Sequence, residues 1–570
     1  MVSAVHWAGQ RALLLEFDSL AEVMRFHAHL TAEPLAGQRE ATAAARTVLL
    51  DFRRRQDAVA AARQVKRIKA KAAEYPAARE LTLDVHYDGE DLDSLAEDLG
   101  MSPQALVDWH TSTTWVGAFG GFAPGFTYCV PEELVRGESG RRRRGRKSER
   151  GSFTVARHSS PRTYVPAGAV ALAGEFSGIY PRESPGGWQL IGTTDAPLWD
   201  VRRSTPALIR PGDTVRYRQR SEKIVVSSPA ASPTPSPAPT DTVVEVVSPG
   251  PQTLIQDLGR PGLSDLGVPR SGAADPASLR QANQLVGNEE DAAGFEVLYG
   301  GLVLKAHQTT VLAVTGAETE LTVETPADTQ RSNMAVSGTG ASGEPQAPEV
   351  STREVTMRAP FWLFPGERLR LAAPARGIRN YIAVSGGVAR ERVLGSASTD
   401  VLSGLGPAPV DAGQRFGLNG AASRFVGIAD VSRSRLPAAE GPTVLRFVPG
   451  PREDWFAGPR GSNPGLHALQ TIPWRVSQKS NRVGLRLEGD GQKLARTRDG
   501  ELPSEPVVDG ALQVPPSGEP VLFLADHPVT GGYPVIGVAV REDLPLAAQL
   551  PPGTEIRFTA VDPETLLPVS

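Results

Sequence analysis

A single cysteine, Cys129, stands among 570 residues. One thiol excludes a disulfide framework and a thiolate zinc cluster, and it suits a reducing compartment. Long apolar runs are also missing. None approaches the ~20 residues that a membrane-spanning helix needs. The opening MVSAVHWAGQRALLLEF has no basic stretch followed by a long apolar one, so no signal peptide is expected and the cytoplasm is the expected compartment. Aromatics are scarce at 6%, whereas Gly 58 and Pro 49 are abundant, which favours many turns over long helices. Charge of one sign is absent too: 60 basic residues against 64 acidic ones leave a net charge of −4, so neither nucleic acid nor an anionic membrane is an expected partner.

Familiar catalytic signatures are lacking as well. There is no G-x-S-x-G elbow, no H-E-x-x-H, no Rossmann glycine fingerprint and no Gly-Gly-Ser-Ser run of an amidase. None of the five methionines lies in a Met-Lys-Met sequence, so no covalently bound biotin is expected. Gly140–Ser148, GRRRRGRKS, comes close to a phosphate-binding loop. Its consecutive arginines repel one another and no core strand leads into it, so it reads as a solvated basic loop, residues 137–151. No metal-ligand cluster is apparent.

What is present divides the chain. Ser227–Thr242, SSPAASPTPSPAPTDT, cannot bury a core and reads as an extended linker. The expected domains are a small α/β unit over 1–76, a β-barrel over 77–226, the linker 227–242, a β domain over 243–435 and a second barrel over 436–570. The fold class is therefore mostly β, with a small α/β N-terminal domain and barrels in both halves. In the first unit, Asp18-Ser19 opens a helix with Leu20, Val23, Met24 and His27 on one stripe. Residues 46–52 and 81–87 read as strands and 56–74 as a helix. Ser102-Pro103 caps a helix ending near His110. In the second half one helix is well punctuated, capped by Asp275, opened by Pro276 and ended by Gly287. A repeat links the halves: Pro211-Gly212-Asp213-Thr214-Val215-Arg216-Tyr217 recurs at Pro365–Leu371 and Pro552–Phe558. Two copies also share an upstream segment, Gly186–Gly192 and Gly531–Gly537, which points to related barrels.

The candidate site residues lie in loops dense in glycine, proline and single polar groups. Gly120–Phe126, GGFAPGF, and Ser184–Trp188 let backbone N–H groups approach a ligand beside an aromatic wall; the plainer reading is a tight barrel corner. Gln256–Gly262, QDLGRPG, runs on to Leu266–Ala273, LGVPRSGA. Asp257 and Arg260 could clamp a polar ligand or brace a loop as an ion pair. Ser271 precedes a helix N-terminus and could help hold an anion. Asp526-His527, followed by Gly531-Gly532, is the acid/base candidate, although adjacent strand residues face opposite ways unless the strand has ended.

GFAPGF, PRTYVPAG (Pro161–Gly168), YPRESPGGWQLIG (Tyr180–Gly192), QDLGRPG, LGVPRSGAAD, ANQLVGN (Ala282–Asn288) and DHPVTGGYPVIG, taken in order, resemble the paired B and C subunits of 5-oxoprolinase. These proteins are also called allophanate hydrolase subunits 1 and 2. They resemble the Kip inhibitor/antagonist pair and the carboxyltransferase part of urea carboxylase and urea amidolyase. Residues 1–226 resemble the B member of the pair and 242–570 the C member. The resemblance implies cyclophilin-like barrels and ATP-dependent opening of 5-oxo-L-proline to L-glutamate. With that come ATP and Mg2+, a small-molecule substrate, a possible homo-oligomer, and a third, separate 5-oxoprolinase protein, the A subunit. It implies Asp526 and His527 as catalytic residues. It implies Phe122, Pro124, Gly125, Phe126, His110, Arg162, Gln256, Asp257, Arg260, Ser271, Asp275, Asn283, Glu296, Gly531, Gly532 and Tyr533 as binding residues. Departures fall in the first half, at Ala156-Arg157, Tyr164, Ala169 and Thr194. Two other readings stand beside this one: carboxyl transfer from a biotin protein, and a non-enzymatic regulator of a histidine kinase. The missing amidase motif counts against allophanate hydrolysis.

Overall fold

The structure, a computed structural model, describes residues 1–70, 78–135, 154–158, 160, 162–222, 241–326, 351–459, 462–498, 500 and 502–569. The basic loop and nearly all of the linker fall outside these.

The chain is mostly β. Strands Ala4–Trp7, Ala12–Glu16, Thr47–Phe52 and Gln38–Ala43, in that order, form an antiparallel sheet. Helix Leu20–Ala32 packs on it. Ser19 caps this helix by accepting from the Glu22 N–H, and the expected stripe of Leu20, Val23, Met24 and His27 is buried. The second helix, Arg55–Gln64, is shorter than the sequence suggests: it tightens into a 3₁₀ turn at Val65–Arg67, which buries Val65.

Residues 80–219 form a seven-stranded sheet and residues 443–560 a closed seven-stranded barrel. The two share a construction that bears on the repeat. In the first, Thr214–Gln219 pairs in parallel with Glu80–Val85. In the second, Glu555–Ala560 pairs in parallel with the barrel's opening strand, Thr443 facing Ile556. Both returning strands follow a Pro-Gly turn, where glycine takes φ +91° at Gly212 and +85° at Gly553. A capped helix matches too. Ser102-Pro103 opens Pro103–Ser112, and Asn463-Pro464 opens Pro464–Thr471, a helix not foreseen from the sequence. In each case the tryptophan after the helix donates its indole N–H to the carbonyl five residues back, Trp115 to His110 at 3.0 Å and Trp474 to Leu469 at 2.9 Å. The middle copy, Pro365–Leu371, closes no barrel; its strand lies antiparallel between two others.

Between the barrels, a six-stranded and a five-stranded sheet enclose a core that includes Val246, Phe295, Leu312, Leu369 and Phe416. Helix Pro276–Leu285 lies on strands Thr310–Glu318 and Arg376–Val384.

Candidate functional site

The glycine-rich loops of the two halves meet. Phe122 donates its backbone N–H to the Thr530 hydroxyl at 2.9 Å, and Gly125 donates to the Leu266 carbonyl at 3.0 Å. A Cβ on Gly120 would collide with the Asp265 carbonyl oxygen, so only glycine permits this contact. Pro124 and Phe126 are buried behind the loop, and the Phe126 ring packs edge-on against Phe122 and Tyr180. Across the junction, Gly532 faces the Arg157 guanidinium and Gly531 lies against Gln513. Tyr533 is partly exposed, with Arg496 over its ring.

Beneath this contact is a buried polar network. Arg482 grips Asp526 with two bonds of 2.9 Å each, and also bonds Glu296 and the Gly272 carbonyl. Asp526 accepts further from the Ser271 hydroxyl at 2.6 Å and the Val401 N–H at 3.1 Å. Burial opposes the charge on Arg482, but Asp526 and Glu296 outweigh it and hold the guanidinium above its ordinary range. Ser271 has φ +53° and Phe122 φ +59°, so two loops expected to be functional hold non-glycine residues in the left-handed region. Asp257 is spent on bracing, accepting from Ser396, Ser398, Ala397 and Gly259. Arg260 instead reaches the Ser398 carbonyl at 2.5 Å.

Several polar atoms here are sealed from solvent without a hydrogen-bond partner among the described residues: Arg260 Nη1, Gln256 Oε1, Thr399 Oγ1 and, from the first half, Arg182 Nε. They share one neighbourhood. Gln256 donates to the Thr399 carbonyl at 2.8 Å, Arg182 bonds the Leu402 carbonyl, and both arginines feel Asp400. Burial and then Asp526 push the Asp400 carboxyl up, against bonds from Ser403 and the pull of Arg260. Buried polar atoms are almost always bonded, so donors and acceptors left over in one place fit a ligand that carries both kinds of group.

Other expected residues lie elsewhere or serve as braces. His110 is fully buried in the first barrel, between Tyr87 Oη at 2.7 Å and Ser177 Oγ at 3.0 Å and stacked on Tyr217; burial pushes it down to about 3. Arg162 bonds Asp91 at 2.5 Å and braces the loop before helix Leu92–Asp98. Asp275 caps its helix as expected, and burial raises its carboxyl despite bonds from Ser434, Ser278 and Gln549. Asn283 ties down that helix's C-terminal turn through the Ala292 carbonyl at 2.8 Å, and Glu296 joins the Arg482 network while accepting from Tyr381 at 2.8 Å. Asp526 and His527 face different ways: His527 stacks on Phe523, bonds the Pro528 carbonyl oxygen at 2.7 Å, and acts electrically on Asp509.

Arg182, Thr399, Asp400 and Arg482 belong to this candidate site although the sequence reading does not pick them out. Arg182 lies inside a quoted motif. Thr399-Asp400 follows Gly395 and precedes Gly404 and Gly406, the same glycine-flanked polar pattern as the other loops. Arg482, a lone arginine before a strand, carries no signal.

Residues 3–209 match the family described as carboxyltransferase domain, subdomain C and D, and residues 266–340 and 329–560 match carboxyltransferase domain, subdomain A and B. The chain belongs to the carboxyltransferase-domain family. Within this family it is 31% identical over 336 residues to the 5-oxoprolinase C subunit of Escherichia coli K12, covering 57% of this chain and 93% of that protein. It is 38% identical over 138 residues to the 5-oxoprolinase B subunit of Escherichia coli O157:H7, covering 24% of this chain and 55% of that one. The crystal structure of TTHA0988 superposes with a TM-score of 0.75 at 31% identity, covering 96% of this chain and 99% of that one. This carboxyltransferase-domain chain thus fuses in one polypeptide what the Escherichia coli relatives carry as separately named subunits. Of its departures from the family pattern, Tyr164 is exposed and bonds Glu183, while Ala169 and Thr194 are buried.

Proposed function

We propose that the chain is the fused B–C component of an ATP-dependent 5-oxoprolinase that opens 5-oxo-L-proline to L-glutamate together with a separate A subunit. The names of the relatives support the family of activities. The observation that carries this substrate is the set of sealed polar atoms at the junction. The carboxylate of 5-oxoproline pairs with the Arg260 and Arg182 donors. Its lactam N–H donates to Gln256 Oε1, and its lactam oxygen accepts a hydrogen bond from the Thr399 hydroxyl.

In this reading the lactam oxygen takes the terminal phosphoryl group of ATP, and ADP leaves. Water then adds at that carbon, and the C–N bond breaks with its electron pair going to nitrogen. Asp400, whose carboxyl is raised by burial and Asp526, is placed to hold the proton the nitrogen receives. A second water releases phosphate from the acyl phosphate. The described residues present no cage for magnesium: Asp526 is taken up by Arg482, Ser271 and Val401, and Asp400 by Ser403 and Leu402. In this reading magnesium arrives with the nucleotide as part of that substrate. Because the unpaired atoms are sealed, binding requires the loops of the two halves to part.

The test is reconstitution. The chain alone releases no glutamate from 5-oxoproline; the chain with Mg-ATP and the separate A subunit does. A second reading is favoured by the 28% identity over 353 residues to urea amidolyase of Saccharomyces cerevisiae, of which the chain spans 17%. If the reconstituted mixture makes no glutamate while a biotin carrier assay shows carboxyl transfer, that reading replaces the first.

A further inference from the structure

A strap of chain, residues 424–434, is tied to helix Pro276–Leu285 and its surroundings. Arg424 donates its backbone N–H to the Gly287 carbonyl, Gly427 to that of Leu285 and Asp430 to that of Arg358, each at 2.9 Å. Gln281 and Gln284 of the helix bond the Val431 carbonyl and the Arg433 side chain, and Ser434 bonds Asp275. The pinned N–H groups recur at every third residue. The residue after each one turns its side chain to solvent: Phe425 is 99% exposed, Ile428 85% and Val431 78%. Residues 425–431 form neither helix nor strand.

One exposed apolar side chain is ordinary, but three in series on a strap fixed by backbone bonds mark a contact surface. The strap is held in place before any partner arrives, which lowers the ordering cost of binding. Its apolar ridge spans residues 425–431, roughly 20 Å of chain at most, on the scale of a standard interface patch. The charges on the strap are matched within the chain. Arg424 pairs with Glu289 at 2.6 Å, and Arg433 with Asp430 at 3.2 Å. Arg280, on the helix, pairs with Glu290 at 3.6 Å. A partner recruited by charge needs a surface with an excess of one sign. A two-fold contact instead brings each charge near its own copy, which is costly unless that charge is already neutralised. The paired charges beside this ridge meet that condition.

We propose that this ridge is the contact surface for a second copy of the chain, related to the first by a two-fold axis. Antiparallel ridges place Ile428 at the axis and Phe425 against Val431 of the partner subunit, a large side chain opposite a small one. Such a dimer holds whichever reaction the chain serves. Ser434 ties the end of the strap to Asp275, which caps the helix entered from the Ser271 loop.

The experiment is sedimentation of the full chain alone over a dilution series. Wild type runs as a concentration-dependent dimer. Phe425→Ser and Ile428→Ser each raise its dissociation constant by about tenfold or more, the worth of one apolar side chain left uncovered. Leu567→Ser, at an exposed residue near the C-terminus, leaves it unchanged. Circular dichroism and melting temperature stay at wild type, because the ridge side chains are open to solvent in the single chain. Ile428→Cys supplies a second reading. The natural thiol, Cys129, is fully buried, so mild oxidation yields covalent dimers only where residue 428 faces its own copy. A wild-type monomer at all concentrations, dimers unchanged in Phe425→Ser/Ile428→Ser, or no covalent dimer from Ile428→Cys overturns the proposal. So does a wild-type monomer that needs the ridge residues to bind the separate A subunit, which makes another protein the occupant.

Discussion

Phe122 and Thr530, 408 residues apart, are joined by a 2.9 Å hydrogen bond from the Phe122 backbone N–H to the threonine hydroxyl. Phe122 is held there at φ +59°, a conformation that surrounding contacts must maintain. Thr530→Val keeps the shape and removes the acceptor. It is expected to cost about 1–2 kcal/mol in urea denaturation and to lower turnover. Unchanged stability and turnover together show that this bond does not hold the junction.

Asp526 is fully buried against Arg482, itself 2% exposed. Asp526→Ala leaves that guanidinium paired only with Glu296. The expected loss is about 3–5 kcal/mol, as for breaking a buried pair. His527→Ala disturbs none of these bonds and is expected to keep the fold while lowering activity. Denaturation curves beside initial rates separate the two, and unchanged turnover in His527→Ala removes that residue from the chemistry.

His27 joins the N-terminal unit to the second half through Asp265, Nε2 to Oδ1 at 3.1 Å. Burial opposes its charge, but Asp265 and the Ala41 carbonyl outweigh it and raise its pKa above 6.5. A raised histidine contributes stability that is fully present below the unfolded value of about 6.5 and is lost as pH rises through the folded one. Melting temperature is therefore expected to fall from about pH 6 toward alkaline pH more steeply in wild type than in His27→Gln. Parallel curves contradict the assignment.

Arg182→Gln removes a first-half donor from the proposed substrate pocket without touching the Arg482 network. In the reconstituted assay its KM for 5-oxoproline is expected to rise by about tenfold, the worth of one charge-assisted bond, with melting unchanged. Thr399→Val removes the hydroxyl donor proposed for the lactam oxygen and tests it in the same way. If both leave KM alone, the pocket lies elsewhere.

The halves hold each other through Phe122–Thr530, His27–Asp265 and Gln10–Glu542. A protease site placed within 227–240 should therefore yield two fragments that still elute together in size-exclusion chromatography. Separate elution would show that the covalent link supplies the association.

Local signals suffice where chemistry is local. Ser19, Ser102 and Asp275 cap helices because a side-chain oxygen beside a free N–H needs only its own turn. Asn463-Pro464 carries the same local cap-plus-proline signal, which the sequence reading passes over. The repeat with its Pro-Gly turns announces two related barrels, since turn geometry and strand alternation are properties of a few consecutive residues.

The β-rich class, the capped helices and the loops that set glycine beside polar groups all follow from neighbouring residues in the chain. The task of each polar group does not, because burial and partners come from residues hundreds of positions away. Asp257 became a brace through Ser396 and Ser398, His110 became a core residue through Tyr87 and Tyr217, and Asp526 was drawn to Arg482 while its neighbour His527 stacked on Phe523. The strand ends at Phe523 and Asp526 sits in a turn closed by the His527 N–H on the Leu524 carbonyl at 3.2 Å, so one pair of letters served two environments that the folded chain alone supplies.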